Sequence, residues 1–121
     1  MNKEKYIFRY LNGTEIKAIL ELKKEILRLA KDAKIIFYGS KVRGNFDDES
    51  DIDLLIIVPN LTKDLKYKII DTATDIELKY DVVFGLVIIS EEKYKKSNLF
   101  KESLYYENIK VEGLPVWAAK L

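Results

Sequence analysis

The first third of the chain alternates apolar and charged positions with the period of a helix. Apolar residues recur at near-helical spacing between lysines and glutamates: Ile16, Ile19, Leu20, Leu22, Ile26, Leu27, Leu29 and Ala30. We predict a helix that begins at Gly13-Thr14, with Thr14 as its N-cap. The continuous apolar run Ile35-Ile36-Phe37-Tyr38 follows and stops at Gly39, which predicts a short buried strand.

The rest of the chain continues this alternation of strands and helices. A second strand is predicted from Ile52 to Val58, and Thr62 is predicted to cap a long helix with one apolar face. Asp81 is predicted to open a third strand, and further helices are expected to start near Ser90 and at Ser97. The order α-β-α-β-α-β-α predicts an α/β (α+β) fold, in which helices cover a small mixed sheet of about three strands.

The lengths of the connections predict how these strands pair. Only about a dozen residues link the first strand to the second, so we expect the two to be antiparallel neighbours. This pairing would place Gly39 and Ser40 beside Asp51 and Asp53. A helix connects the second strand to the third, so these strands are expected to be parallel. Asp81 would then lie level with Asp51 and Asp53.

Composition limits the chemistry that the chain can perform. Its 121 residues, 48% of them hydrophobic, fit a single domain that spans residues 1–121. Cysteine and histidine are absent, so catalysis must use carboxylates, lysines, hydroxyls, backbone groups and a hard metal ion. A net charge of +1 argues against a dedicated DNA-binding protein. The polar start Met1-Asn2-Lys3-Glu4 and the lack of long apolar segments predict a cytoplasmic protein without a membrane anchor.

Two short motifs carry the candidate chemistry. Asp51 and Asp53 stand two residues apart at a strand start, so both would point to the same face. Such a pair suits divalent cations that are bridged by phosphate oxygens; alternatively, Asp51 caps a loop and Asp53 is an exposed strand residue. Gly39 and Ser40 would bring backbone amides to a phosphate; alternatively, they form an ordinary turn with Ser40 as N-cap.

Together the two motifs resemble a known family. The string Gly39-Ser40-Lys41-Val42-Arg43-Gly44, followed by Ser50-Asp51-Ile52-Asp53-Leu54, resembles the motif of the polymerase β-type nucleotidyltransferase superfamily. It is similar to the form found in minimal nucleotidyltransferases, which are often paired with a HEPN-domain partner in toxin–antitoxin operons. The resemblance extends from about Thr14 to Gly113. It implies a polymerase β-type fold, ATP as substrate and two Mg²⁺ ions, with Mn²⁺ as an alternative.

The resemblance also implies roles for individual residues. Asp51 and Asp53 would be catalytic metal ligands, and Gly39 and Ser40 would hold the terminal phosphates. Arg43 would lie near the triphosphate or order the loop. Asp81 would be the third catalytic carboxylate and metal ligand, because the neighbouring acidic residues Asp75 and Glu77 fall inside the helical pattern.

The small size of the chain implies an open groove that a protein partner or a homodimer completes. The leading interpretation is transfer of AMP from ATP to a hydroxyl of a HEPN-like toxin, which would make the chain an antitoxin. One alternative keeps this chemistry with a small-molecule acceptor. The other is a non-catalytic antitoxin that acts by binding its partner, and the intact motif carboxylates argue against it.

Overall fold

A computed structural model describes residues 8–44, 51–96 and 113–116, except for the side chains of Ser40 and Arg43. Over these residues, four strands form one mixed sheet in the order β3-β2-β1-β4. The α/β class predicted from the sequence is confirmed. The elements are α1 (Gly13–Leu29), β1 (Lys34–Tyr38), α2 (Ser40–Arg43), β2 (Ile52–Val58), α3 (Lys63–Tyr80), β3 (Phe84–Ser90), α4 (Glu91–Lys96) and β4 (Leu114–Pro115).

The strand pairing follows the prediction from connection lengths. β1 and β2 are antiparallel, and Tyr38 pairs with Asp53. β2 and β3 are parallel, and Asp53 pairs with Gly85 on its other side. β4 was not predicted; its two residues pair with Ile36 and Phe37 of β1. A segment this short carries no periodicity that a sequence pattern could reveal.

The two faces of the sheet are buried in different ways. Alternate residues of β2, beginning with Ile52 and Leu54, belong to the main core, which they share with apolar residues of α1 and α3. The intervening residues Leu55 and Ile57 form a second buried cluster with Tyr38 on the opposite face. Asp53 lies two residues before Leu55 in β2, so its side chain is on the same face of the sheet as this second cluster. Its side chain therefore belongs to the face that points away from α1 and α3.

The N-cap predicted for α1 is wrong, whereas the N-cap predicted for α3 is confirmed. α1 begins with Asn12 as its N-cap, not with Thr14 as predicted. Asn12 Oδ1 accepts a hydrogen bond from the Glu15 N–H at 2.8 Å, and Glu15 Oε1 accepts one from the Asn12 N–H at 3.0 Å. This reciprocal capping box satisfies two backbone donors, which a cap at Thr14 would not do. Thr62 caps α3 as predicted, through a 3.1 Å bond from the Leu65 N–H.

The third strand begins later than predicted, and this changes the position of Asp81. α3 continues to Tyr80, and Asp81 is its C-cap in the left-handed conformation, with φ 54° and ψ 51°. β3 starts only at Phe84, whose N–H donates to Glu77 Oε2 at 2.9 Å. The prediction that Asp81 opens the strand is therefore wrong. Aspartate adopts the left-handed conformation more readily than most residues, which suits it to a helix end.

The predicted helix that starts at Ser97 lies outside the described residues, whereas the helix expected near Ser90 is α4. Among the helices that the structure describes, none combines the length and the apolar character needed to cross a membrane.

Candidate active site

Both sequence motifs meet where three strands of the sheet end or begin. Gly39 directly follows β1, Asp51 directly precedes β2, and Asp53 is the second residue of β2. On the other side of β2, Gly85 is the second residue of β3. The predicted meeting of the Gly39 turn with Asp53 is confirmed, because the two residues are in direct contact.

The side chain of Asp53 lies between two glycines on the flanking strands. A Cβ atom added at Gly85 would stand 2.6 Å from Asp53 Oδ1, and one added at Gly39 would overlap Asp53 Oδ2. Both carboxylate oxygens therefore occupy space that any other residue at these positions would fill. The Asp53 side chain is half-buried in the space between Gly39 and Gly85, which we call the Asp53 seat. Packing on two sides fixes its orientation.

Gly39 has a second reason to be glycine. Its φ of 91° lies in the left-handed region, where residues with a side chain are strained. This conformation ends β1 and turns the chain at once into α2, where the Val42 N–H donates to the Gly39 carbonyl at 3.1 Å. The turn and the seat of Asp53 thus depend on the same residue.

Asp51 and Asp53 share one face, as predicted. The position of a Cβ at Gly85 lies 3.6 Å from Asp51 Cβ as well as beside the Asp53 carboxylate. Asp51 is exposed, so the pair opens to solvent on one side. Two carboxylates at this spacing repel each other unless a cation lies close to both.

The donor set fits Mg²⁺ or a similar hard cation at two carboxylates. Mg²⁺ is commonly held by one or two carboxylates together with substrate phosphates. Asp81 caps α3 ahead of β3 and does not open the strand, so the predicted strand start no longer supports it as a third ligand, and that role stays a prediction. Within ranges 8–44, 51–96 and 113–116, no three acidic side chains lie close enough to share a metal ion.

The remaining residues of the glycine motif are only partly described. The backbones of Ser40 and Arg43 lie in α2, and their side chains fall outside the described part. Lys41 is buried, and its Nζ lies 2.8 Å from Glu15 Oε2. The side chain of Lys41 therefore points into the interior, towards α1. The acidic residues at positions 47–49 lie outside the described residues.

Gly85 is the residue that sequence reasoning missed. In the sequence it is one position inside the apolar segment 82–89. A glycine inside a strand often marks a place where another group approaches the backbone closely, and that signal was present. The strand register was needed to show that the approaching group is Asp53.

Two cavities open at the far ends of the strands, away from this site. One, of about 540 Å³, is lined by the segment before β1 together with Pro59 and Glu91. The other, of about 260 Å³, lies between the start of α3 and the end of β3. Neither of these two cavities is lined by a motif residue.

Known proteins are similar to this chain over most of its length. Residues 19–106 match the model of the nucleotidyltransferase domain family. Two relatives from Methanocaldococcus jannaschii are both named "Putative protein adenylyltransferase". One is 41% identical over 85 residues, which cover 68% of this chain and 81% of the relative. The other is 34% identical over 113 residues, which cover 93% of this chain and 96% of the relative.

Proposed function

Because this chain belongs to the nucleotidyltransferase domain family, we propose that it transfers AMP from ATP to a hydroxyl group of a protein. The enzyme class follows from the family, and the names of both relatives support AMP as the transferred group and a protein as acceptor. One structural observation carries the proposal. Asp51 and Asp53 share a face beside the turn at Gly39, where a triphosphate would meet carboxylates and backbone amides together.

In the proposed reaction, an acceptor oxygen attacks the α-phosphorus of ATP in line with the leaving group. The bond from the α-phosphorus to the bridging oxygen breaks, pyrophosphate leaves, and the acceptor proton passes to water. Gly39 and Ser40 would hold the terminal phosphates, and Arg43 would lie near the triphosphate. Asp51 and Asp53 would hold Mg²⁺ or Mn²⁺ against the phosphates. Such an ion, when bound, neutralises charge on the phosphates and on the leaving group.

The expected acceptor is a HEPN-domain toxin, which would make this chain an antitoxin in a cytoplasmic toxin–antitoxin pair. That part of the proposal rests on the motif resemblance. The exposure of Asp51 is compatible with it, because a groove that is open on one side leaves room for a protein acceptor. A second copy of the chain could close the same side.

The test uses ATP labelled at the α-phosphate, Mg²⁺, the wild-type chain and the product of the neighbouring gene. We expect the label on the partner protein, and no label when γ-labelled ATP is used instead. Asp51→Asn should remove the transfer. Asp71→Asn, the same change at an exposed position of α3, should keep it.

Two outcomes would change the proposal. Label on a small molecule would move the acceptor to a different class. A partner that binds the wild type and Asp51→Asn equally, and never becomes labelled, would indicate an antitoxin that acts by contact alone.

A further inference from the structure

Two buried charged side chains have no part in the reaction proposed above. Within the described residues, only Glu15 and Lys41 are both charged and buried, at 8% and 4% exposure. Their carboxylate and ammonium groups are paired at 2.8 Å. Lys41 follows Ser40 directly, so this ion pair is attached to the turn that would bind phosphates. Glu15 precedes residues 19–106, the part of the chain that matches the family.

A second contact joins the same two regions. A Cβ atom added at Gly44 would lie 2.8 Å from Tyr10 Cζ, so the ring of Tyr10 rests on the Gly44 backbone. The guanidinium group of Arg9 lies 5.3 Å from the centre of this ring, within the range of a cation–π contact. Tyr10 therefore contacts the end of the glycine motif, and Glu15 contacts its middle.

The turn itself needs such external support. Gly39 and Gly44, which bracket it, have φ angles of 91° and 83°. Glycine reaches many other conformations at little cost, so the local sequence alone does not hold this shape. A binding turn is effective only when its surroundings keep it close to the geometry that the ligand requires.

Segment 8–15 is well suited to supply that support. Glu15 is held by the capping box with Asn12, which fixes its carboxylate at the first turn of α1. α1 in turn buries Ile19 and Leu22 in the main core. The contacts therefore run without a break from the core through Glu15 and Lys41 to the turn.

We propose that residues 8–15 form an N-terminal clamp that holds the phosphate-binding turn in shape, with Tyr10, Glu15 and Lys41 as positioning residues for ATP. The clamp contributes to nucleotide affinity from outside the part of the chain that matches the family. This inference rests on the proposed function, since it requires that the turn binds the phosphates of ATP.

The test measures binding of α,β-methylene-ATP with Mg²⁺ by isothermal titration calorimetry, well below the unfolding temperature of each variant. Glu15→Gln keeps the capping oxygen but removes the charge that faces Lys41. Tyr10→Ala removes the ring from Gly44, and Tyr10→Phe restores it. The matched control is Glu21→Gln, which removes a charge from an exposed α1 ion pair, with Lys79 at 2.9 Å.

We expect Glu15→Gln and Tyr10→Ala to raise the Kd for the analogue about tenfold, a change of about 1.4 kcal/mol. Tyr10→Phe and Glu21→Gln should bind as the wild type does. In the transfer assay the two weak binders should show a raised KM, with kcat changed less than about threefold. A purely structural role would lower the unfolding temperature without this rise in KM.

Wild-type affinity in both Glu15→Gln and Tyr10→Ala would overturn the clamp and leave the nucleotide site in place. If Glu15→Gln does not fold, the Kd of Tyr10→Ala for the analogue tests the clamp by itself. This variant is expected to fold, because the side chain of Tyr10 is at the surface and its loss opens no core cavity. A wild-type chain that does not bind the analogue at all would overturn the proposed function, and the clamp with it.

Discussion

One added methyl group at Gly85 would test whether the seat of Asp53 is essential for the reaction. The positive φ angles of the described glycines belong to Gly39 and Gly44, so alanine suits the backbone at residue 85. The obstacle is the carboxylate, because the new Cβ would stand 2.6 Å from Asp53 Oδ1, where ordinary contact begins at 3.4 Å. The carboxylate cannot turn towards β1 instead, because its other oxygen already lies against Gly39.

The size of the effect follows from this distance. Asp53 must move by about 0.8 Å, more than the tolerance of about 0.5 Å within which catalytic groups keep their productive geometry. A misplacement of about 1 Å costs about 100-fold in rate, so we expect Gly85→Ala to lower kcat/KM about 100-fold. This corresponds to about 2.7 kcal/mol of transition-state stabilisation. The strain of displacing Asp53 lowers stability, and this loss is partly offset because alanine is favoured over glycine in a strand by roughly 0.5–1 kcal/mol.

The assay follows AMP transfer at several ATP concentrations and pairs it with thermal unfolding of the same samples. Gly13→Ala is the matched control: although Gly13 lies within the clamp segment, no atom lies within 4 Å of a Cβ there and its φ is ordinary, so the contacts of Tyr10 and Glu15 are left intact. It should keep full activity. Wild-type activity in folded Gly85→Ala would refute the reasoning, because it would show that the carboxylate of Asp53 can move without consequence.

Three further predictions test the site and its surroundings. Asp51→Asn and Asp53→Asn should each lower transfer by about 1,000-fold or more without changing the unfolding temperature, because they remove the proposed cation ligands. Asp81→Asn should keep the rate within about threefold in the same transfer assay, since asparagine tolerates the left-handed C-cap conformation equally well; a large loss would bring Asp81 back into the site. The hydrogen bond from Lys79 lowers the pKa of Glu21. Its stabilising effect is therefore present above the unfolded-state pKa of about 4.3 and is lost as the pH falls through the lower folded-state pKa. The difference in unfolding temperature between wild type and Glu21→Gln should disappear in acid, and its persistence there would contradict this account.

Connection lengths and apolar runs were sufficient to predict how β1, β2 and β3 pair, although not that β4 joins the sheet. They bring Gly39 next to Asp53, because a short link between neighbouring strands leaves few other arrangements. The position of Asp81 was not predictable in this way. Val82 and Val83 are β-branched and suggested a strand, yet α3 runs on to Tyr80 and its end is decided by the cap conformation. The role of Gly85 required the register of β2 against β3, which no local pattern contains.

The position of Asp53 between two strands has a consequence for the order in which the chain folds. β1 and β2 are close in sequence and pair antiparallel, so one side of the Asp53 seat can form early. The other side, at Gly85, exists only after α3 has crossed over and β3 has docked in parallel. Contacts between distant parts of a chain form more slowly than local ones. An intermediate that contains only the β1–β2 pair would hold Asp53 on one side. ATP binding during refolding would therefore report the docking of β3, the step that completes the seat.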